Sequence, residues 1–313
     1  MTNLDLGFTR PVPRDGYAWW YMDAYSDDHR HGLTIIAFIG SVFSPWYAWA
    51  RRKGSAEPRD FACFHIVLTG PGGDRWAMTE RRAGALCRTP DSLTIGPSGL
   101  AWDGRTLTAR VDEVTFPLPQ RVRGTIRLHP SAATTFQPTL DSHGLHRWWP
   151  IAPFSRVEVE LDQPGVRWSG PGYFDSNWGD GPLEDSFKEW DWCRGPLTDG
   201  ASILYDVVRR DGSTQGIAIR IGRDGTVTPY DAPARVTLPG TRWWRIRRET
   251  RCEPGHGAEV AQTLLDAPFY ARSVVRTRLL GQAVTAMHES LDLDRFRQPW
   301  VQALLPFRVP RRG

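Results

Sequence analysis

Most of the chain consists of short runs in which apolar and polar residues alternate, with turn residues between the runs. Between residues 75 and 130 these runs are RWAMTER, DSLTIG, LAWDG, TLTARVDEVTF and RVRGTIRLHP. Turns at Pro97–Gly99 and Asp103–Gly104 join them, and Asp-Gly between alternating segments is a strong signal of a β-hairpin. Because strand side chains point alternately to the two faces of a sheet, the pattern predicts an antiparallel sandwich or barrel.

The same pattern returns after residue 200, where ASILYDVVRRDG and IAIRIGRDGTVTPYD each include an Asp-Gly turn. The segments TRWWRIRRETRCE, AQTLLDAPFYARSVVRTRLLG and AVTAMHESL continue as predicted strands. Few windows have the helical period of about 3.6 residues. We therefore predict an all-β protein with two antiparallel β domains, residues 1–160 and 161–313, and a short helix in the C-terminal tail.

The N-terminal region predicts two further strands. Tyr17, Trp19 and Tyr21 alternate as in a half-buried strand, and the apolar run at 33–39 suits a buried strand. Four potential metal ligands lie between them: Asp27, Asp28, His29 and His31. An exposed hairpin loop is the favoured interpretation of these four, because no spaced group completes a metal site.

The C-terminal segment LDRFRQPWVQALLPFRVPRRG differs in character from the strands before it. Asp294 is the predicted cap of a short helix. The apolar residues of this helix are Phe296, Trp300, Val301, Leu304 and Leu305. With the arginines that follow, such a tail suits either a membrane interface or the end of a barrel that it plugs.

Charge and cysteine content narrow the range of partners and compartments. The net charge is +4, but the basic residues are scattered, so no nucleic-acid partner is expected. The four cysteines form no CxxC pair, and we expect buried, reduced thiols at Cys63, Cys87, Cys193 and Cys252. Neither a signal-peptide core nor an apolar window of about 18 residues is present, which predicts a cytoplasmic protein.

Common catalytic and cofactor motifs are missing from the sequence. It contains no GxSxG nucleophile elbow, no GxxxxGK[ST] phosphate loop and no strand-linked GxGxxG. The best metal motif is HGLH, where His143 and His146 lack an evident third partner. We therefore expect acid–base chemistry without a metal or an organic cofactor.

The stretch from His146 to Arg194 is the main candidate for such chemistry. It holds six of the fifteen tryptophans of the chain: Trp148, Trp149, Trp168, Trp178, Trp190 and Trp192. If GYFDSNWGD is a strand, Tyr173, Asp175 and Asn177 share one face. A carboxyl in an apolar pocket has a raised pKa and can act as a general acid. The alternative is a polar turn in which Asp175 bonds to backbone.

These motifs together resemble the carotenoid 1,2-hydratases, also called hydroxyneurosporene synthases. The resemblance extends along nearly the whole chain. Its segments are IAFIGSVFSPWYAWARR, RWAMTERR, HRWWPIAPFSRVEVE, GYFDSNWGDGPLEDSF, WDWCRG and HESLDLDRFRQPWVQALLPFRVPRR. Family members often have GYHDHN where this chain has Phe174 and Ser176, so any role for histidines at those two positions is absent or replaced.

The resemblance implies two lipocalin-like β domains and a hydro-lyase that works without a cofactor. Such an enzyme adds water to the terminal C1–C2 double bond of an acyclic carotenoid, neurosporene or lycopene, and gives a 1-hydroxy product. The implied acid–base residues are His146, Trp148, Tyr173 and Asp175. The predicted substrate-binding residues are Trp178, Trp190 and Trp192.

The residue types fit this chemistry. Protonation at C2 leaves a tertiary cation at C1, and indole and phenol faces stabilise a nearby cation by roughly 0.5–2 kcal/mol each. Asp175 is the expected acid, and His146 orients or deprotonates the water. Because the substrate partitions into bilayers, we expect peripheral contact with the cytoplasmic side of a membrane.

Two other functions suit the same residues. One is a lipocalin-type protein that binds a carotenoid or lipid without catalysis and does not need Asp175. The other is an enzyme of the same fold that cyclises a polyene. Hydration adds the mass of one water, whereas cyclisation adds none, so the products separate these functions.

Overall fold

The computed structural model describes residues 4–312, and strands dominate this range. The strands of the first half are β1 (Tyr17–Tyr25), β2 (Gly32–Ile39), β3 (Ala62–Thr69), β4 (Arg75–Arg81), β5 (Leu86–Thr89), β6 (Ser92–Ile95), β7 (Ser98–Trp102), β8 (Leu107–Val114), β9 (Arg121–Pro130), β10 (His146–Gln163) and β11 (Val166–Gly179). Those of the second half are β12 (Phe187–Leu197), β13 (Gly200–Arg209), β14 (Thr214–Gly222), β15 (Val227–Pro229), β16 (Arg235–Leu238), β17 (Arg248–Arg251), β18 (Glu259–Asp266), β19 (Tyr270–Leu279), β20 (Gln282–Asp292) and β21 (Arg311–Arg312).

Helices are short throughout the described range. They are α1 (Pro45–Arg52), α2 (Leu183–Ser186), α3 (Leu293–Phe296) and α4 (Pro299–Leu304), with 3₁₀ turns at Pro58–Phe61, Ala83–Ala85 and Leu305–Phe307. None of the helices within residues 4–312 is long and apolar enough to cross a membrane. The prediction of an all-β, lipocalin-like protein with a short C-terminal helix is confirmed.

The chain divides into two compact units, which are described separately. One contains the residues up to Pro182 and those from Ala303 onward, and the other is Leu183–Gln302. Glu160 lies inside β10, which pairs with β9 and β11 within the first unit. The domain boundary expected after residue 160 stays a prediction.

A curled sheet of twelve strands forms the first unit, in the order β21-β4-β3-β2-β1-β11-β10-β9-β8-β7-β6-β5. Curling brings β4 against β8, where the Arg81 guanidinium lies 2.8 Å from a carboxylate oxygen of Glu113. Both side chains are buried, and the Ser98 hydroxyl also donates to Glu113 at 2.7 Å. The apolar core lies on one face of this sheet and includes residues of strands from β1 to β11.

The second unit is built around a sheet of seven strands, in the order β15-β14-β13-β12-β20-β19-β18. The pair β16-β17 forms a separate small sheet. The prediction that TRWWRIRRETRCE forms one strand is wrong over its first part, because β17 begins at Arg248. The preceding residues form a turn whose backbone is held by the carboxylate of Asp266, through the N–H groups of Trp243 and Trp244.

Local signals in the sequence set several of the element ends. Gly104 has φ of 92° in the predicted turn between β7 and β8, a conformation that favours glycine. The Ser44 hydroxyl accepts the backbone N–H of Tyr47, and Pro45 follows as the first residue of α1. At the C-terminal helix the predicted cap was wrong: Asp292, and not Asp294, caps α3.

Two predictions about burial are also wrong. Cys87 is exposed, whereas the other three cysteines are buried and free. The strand β1 is buried on both faces rather than half-buried, because every residue from Tyr17 to Ala24 is buried.

The last described residues pack along β4 of the first unit. β21 pairs with β4 in parallel, and Trp46 Nε1 donates to the carbonyl oxygen of Val309 at 2.9 Å. The Arg311 guanidinium lies 3.5 Å from the buried carboxyl of Glu80. Burial raises the pKa of Glu80 to about 7, although Ser44 and Arg311 act to lower it.

Candidate active site

Three adjacent strands, β1, β11 and β10, carry the central polar residues. In the antiparallel register Asp175 lies opposite Tyr21, and Asn177 lies opposite both Trp19 and Trp148. Residues two apart on a strand share a face, so these five side chains lie on one face of the sheet. All five are buried.

The opposite face of the same strands belongs to the apolar core. Phe174 is part of that core, and Ser176 lies on the same side of β11. Side chains at 174 and 176 therefore point away from Asp175, so these two positions are outside the face that carries it. Trp178 is also on this side, with the Arg10 guanidinium 3.5 Å from its ring centroid. The structure does not bring Trp178 to Asp175, and its role in binding stays a prediction.

The carboxyl of Asp175 is held by two aromatic side chains. Tyr173 donates its hydroxyl to Oδ2 at 2.8 Å, and Trp148 donates its Nε1–H to the same oxygen at 2.9 Å. Tyr173 and Trp148 are fully buried, and Asp175 is 5% exposed. The two donors fix the orientation of the carboxyl within aromatic surroundings.

His146 begins β10 and is fully buried. Its Nδ1 lies 3.0 Å from the hydroxyl of Tyr17, and the two rings stack with an interplanar angle of 20°. Burial lowers the pKa of His146, while the carboxylates of Asp141 and Asp180 oppose this shift. The imidazole is therefore neutral near pH 7 and can accept a proton or hold a water.

Gly179 makes the approach of Tyr17 and His146 possible. It pairs with Tyr17 on β1 and with His146 on β10. A Cβ at this position would lie 2.5 Å from His146 Nδ1 and 2.6 Å from Tyr17 Cε1. These distances are too short for any side chain, so glycine is needed here for packing rather than for an unusual φ.

The carboxylate of Asp141 fixes the chain at the entry to β10. It accepts the backbone N–H groups of His143, Leu145 and His146, the last at 2.7 Å. Burial acts to raise the pKa of Asp141, but these hydrogen bonds outweigh it and leave the pKa lowered. Asp141 is therefore an ionised anchor that positions His146 through its backbone.

Sequence reasoning missed Asp23 on the same face. Asp23 is fully buried, lies opposite Tyr173, and accepts the Tyr21 hydroxyl on Oδ2 at 3.0 Å. The alternation of Tyr17, Trp19 and Tyr21 continues to this residue, so the signal was present in the sequence. The predicted site was confined to the stretch from His146 to Arg194, so it did not include a carboxyl from β1.

Trp190 and Trp192 belong to the second unit, where they share one face of β12. Trp190 packs against Phe187 and Tyr205, each with ring centroids 6.0 Å away. Both tryptophans are buried. Their predicted role in substrate binding stays a prediction.

Among the described residues 4–312, no group of three or more His, Cys, Asp and Glu side chains could hold a metal ion. Asp27, Asp28, His29 and His31 lie in the turn between β1 and β2. Asp27 is there paired with the Arg156 guanidinium. Independence from metals and organic cofactors stays a prediction that needs an experiment.

Solved structures with low sequence identity share the fold. An AttH protein from Nitrosomonas europaea has a TM-score of 0.59 at 15% identity, covering 88% of this chain and 92% of that one. Kievitone hydratase from Nectria haematococca has a TM-score of 0.59 at 11% identity, covering 94% of each chain. At these identities the likeness shows the fold alone.

Other proteins have a much higher sequence identity to this chain than these solved structures do. The acyclic carotenoid 1,2-hydratase of Thiocapsa roseopersicina is 55% identical over 306 residues, which cover 98% of this chain and 76% of that protein. The enzyme of the same name from Rubrivivax gelatinosus is 51% identical over 309 residues, with 98% and 76% covered. The family model described as carotenoid hydratase CrtC matches residues 35–313, and the chain therefore belongs to this family.

Proposed function

We propose that this protein adds water across the terminal C1–C2 double bond of an acyclic carotenoid, neurosporene or lycopene, and forms a tertiary 1-hydroxy product. Membership of the family makes it a hydro-lyase. The observation that carries the chemistry is the carboxyl of Asp175, which is buried among aromatic side chains and held by Trp148 and Tyr173.

Asp175 is the proposed proton donor. Its Oδ2 already accepts two hydrogen bonds, so a proton on this carboxyl is placed on Oδ1. Transfer of that proton to C2 leaves a cation at C1. Roughly 0.5–2 kcal/mol of stabilisation comes from each aromatic face that meets the cation, and the rings of Trp148 and Tyr173 are the nearest candidates.

His146 is proposed to hold the water that adds to C1. Because its ring is neutral near pH 7, it can form a hydrogen bond to a water without carrying a charge that would repel the cation. Tyr17 and Gly179 fix the position of the ring. No metal or organic cofactor enters this proposal.

The test is incubation of the purified protein with lycopene in water enriched in ¹⁸O. We expect a product heavier than lycopene by one water, with the label in its hydroxyl group. Unchanged lycopene that stays bound to the protein would indicate a carrier, and a product without added mass would indicate a cyclising enzyme. Either outcome contradicts the proposal.

We also propose that the protein contacts a membrane peripherally, since a long hydrocarbon substrate partitions into bilayers. Apolar side chains remain exposed on α4 and the turn after it: Trp300 in the second unit, and Leu304 and Phe307 in the first. Val301 and Leu305 on the other side are buried. Phe296, expected among the interfacial residues, is also buried and so is excluded from this surface.

Vesicle flotation tests this contact on anionic and neutral vesicles. A variant with Trp300→Ser, Leu304→Ser and Phe307→Ser should float less than the wild type. Leu118→Ser is the matched control, because Leu118 is an exposed apolar residue of the β8–β9 connection. Equal flotation of all three proteins would remove this surface from the proposal, and no flotation at any salt concentration would exclude membrane contact.

A further inference from the structure

The sequence Tyr-x-Asp occurs twice on neighbouring strands, as Tyr21-Met22-Asp23 on β1 and as Tyr173-Phe174-Asp175 on β11. The antiparallel register sets the two copies side by side in opposite directions. Tyr21 is opposite Asp175, and Asp23 is opposite Tyr173. The middle residue of each copy, Met22 or Phe174, points into the apolar core.

The two copies also make equivalent contacts. Tyr21 donates its hydroxyl to Asp23 Oδ2 at 3.0 Å, as Tyr173 donates to Asp175 Oδ2 at 2.8 Å. The two tyrosine rings meet edge to face, with centroids 6.0 Å apart and an interplanar angle of 67°. Both carboxyls are buried. The proposed acid is therefore one half of a pair of carboxyls on the same face.

Register decides which basic group lies nearer to the acid. Strands rise about 3.4 Å per residue, so Tyr173, the partner of Asp23, is about 7 Å along β11 from Asp175. Gly179, the partner of His146, is about 14 Å from Asp175 in the other direction. The reacting carbons C1 and C2 are neighbours, and a base that serves them must lie close to the acid. Asp23 meets this requirement better than His146.

We propose that Asp23 is the general base of the hydration and accepts the proton that the attacking water loses. This proposal rests on the proposed function. It makes Asp23 a catalytic residue, and it makes Tyr21 the residue that positions its carboxylate. It also moves the attacking water from His146 to Asp23, because the register places these two residues on opposite sides of Asp175 along β11.

The step is balanced in atoms and electrons. The O–H bond of Asp175 breaks, and the electron pair of the C1–C2 double bond forms the new C2–H bond. A lone pair of the water oxygen then forms the C1–O bond, and the proton released from that oxygen bonds to the Asp23 carboxylate. Asp175 is left ionised and Asp23 protonated, and return of one proton from Asp23 to Asp175 restores the starting state.

A pair of carboxyls suits this return of a proton from Asp23 to Asp175 for an electrostatic reason. Two buried carboxylates at diagonal positions of a sheet repel each other, so the pair favours one shared negative charge. One acid and one base are then present together before the reaction and after it. An isolated carboxyl would have to recover its proton from solvent.

The test separates formation of the cation from its capture by water. In D₂O, a cation that is not captured loses a hydron from C2 and returns to the alkene. Deuterium stays at C2 of the recovered carotenoid whenever the hydron lost is the original hydrogen and not the deuteron that Asp175 donated. The quantity to measure is the ratio of this exchange to hydration, by mass spectrometry of recovered lycopene and product. The ratio depends only on the fate of the cation and is independent of how fast Asp175 forms it.

For Asp23→Asn we expect hydration to fall by about 100-fold or more, and the ratio of exchange to hydration to rise at least about 10-fold. Tyr21→Phe keeps the carboxyl and should raise the ratio by less, which covers the case in which Asp23→Asn does not fold. The matched control is Asp91→Asn at an exposed turn between β5 and β6, where the ratio should stay that of the wild type.

An unchanged ratio in folded Asp23→Asn and Tyr21→Phe would overturn the proposal. A rise in the ratio for His146→Gln but not for Asp23→Asn would assign the base to His146 instead. Failure of the proposed function is a separate result, since the wild-type protein would then give neither hydration nor exchange.

Discussion

Asp175 in the first unit is a buried carboxyl and Asp191 in the second is a partly buried one. Both lie on strands rich in tryptophan, yet their surroundings differ. Asp175 accepts hydrogen bonds from the side chains of Trp148 and Tyr173. The face around it carries further aromatic rings, among them Trp19. The aromatic surfaces of such a face suit contact with a hydrocarbon.

The surroundings of Asp191 are polar. Its carboxyl accepts the Ser290 hydroxyl and the backbone N–H of Glu249, and His288 Nε2 lies 3.8 Å away. The small cleft beside it is lined by further acids, Glu189 and Asp292 among them. Such a polar cleft does not suit a hydrocarbon. Burial of a carboxyl is therefore a poor guide to the acid unless its neighbours are considered.

The largest expected effect compares Asp175→Asn with Asp191→Asn. Removal of a general acid costs about 100- to 10,000-fold in rate, so Asp175→Asn should lose nearly all hydration. Asp191→Asn should keep a rate close to that of the wild type. Steady-state assays with lycopene, on variants with unchanged circular dichroism, provide the measurement. A large loss for Asp191→Asn and none for Asp175→Asn would reverse the assignment of the site.

A second prediction uses the opposite pKa shifts of Asp191 and His288. Burial raises the pKa of Asp191 to about 7, so its contribution to stability is present below about pH 4 and is lost as the pH rises through 7. Burial lowers the pKa of His288 to about 4, so its contribution is present above about pH 6.5 and is lost as the pH falls through 4. Between about pH 4 and 6.5 the two contributions oppose each other in the wild type.

In Asp191→Asn the pH-dependent contribution of His288 to stability should therefore be unopposed. Its free energy of unfolding should fall by up to about 3 kcal/mol as the pH is lowered from about 6.5 to 4, relative to the wild type. His288→Gln should show the opposite slope, with stability falling as the pH rises toward 7. Urea unfolding followed by tryptophan fluorescence over this range gives the slopes. Parallel curves for the wild type and both variants would contradict the predicted coupling.

The smallest expected effect concerns the packing beside His146. Gly179→Ala places a methyl group against His146 Nδ1 and Tyr17, and such overpacking costs about 1–3 kcal/mol. Gly181→Ala is the matched control, because a Cβ at Gly181 would meet no atom within 4 Å. Thermal unfolding of both variants gives the difference. Equal stability would mean that the Tyr17–His146 contact is not tightly packed.

Much of the fold could be predicted from local pattern. Strand alternation and the Asp-Gly turns at Asp103–Gly104 and Asp211–Gly212 depend on neighbouring residues, and both turns lie between paired strands in the structure. The end of the chain was predicted less well, since Asp292 caps α3 two residues before the predicted position. Element ends depend on which of several nearby acids accepts the first backbone N–H groups, and spacing alone does not decide this.

The strand period also predicted that Tyr173, Asp175 and Asn177 share a face, because a strand has a period of two whatever it packs against. What the period could not supply was the partner on the neighbouring strand. Asp23 is about 150 residues from Asp175 in the chain, and only the register between β1 and β11 brings them together.

The chemical character of the site rests on the same long-range pairing. The sequence carries Tyr-x-Asp at 21–23 and at 173–175, a glycine at 179 and a histidine at 146, and each of these has an ordinary structural interpretation when it is taken alone. Folding of the sheet buries them, joins Trp148 to Asp175 and turns two carboxyls toward one face. Burial and cross-strand contact depend on residues far apart in the chain, which is why the pair of acids became visible in the tertiary structure and not in the sequence.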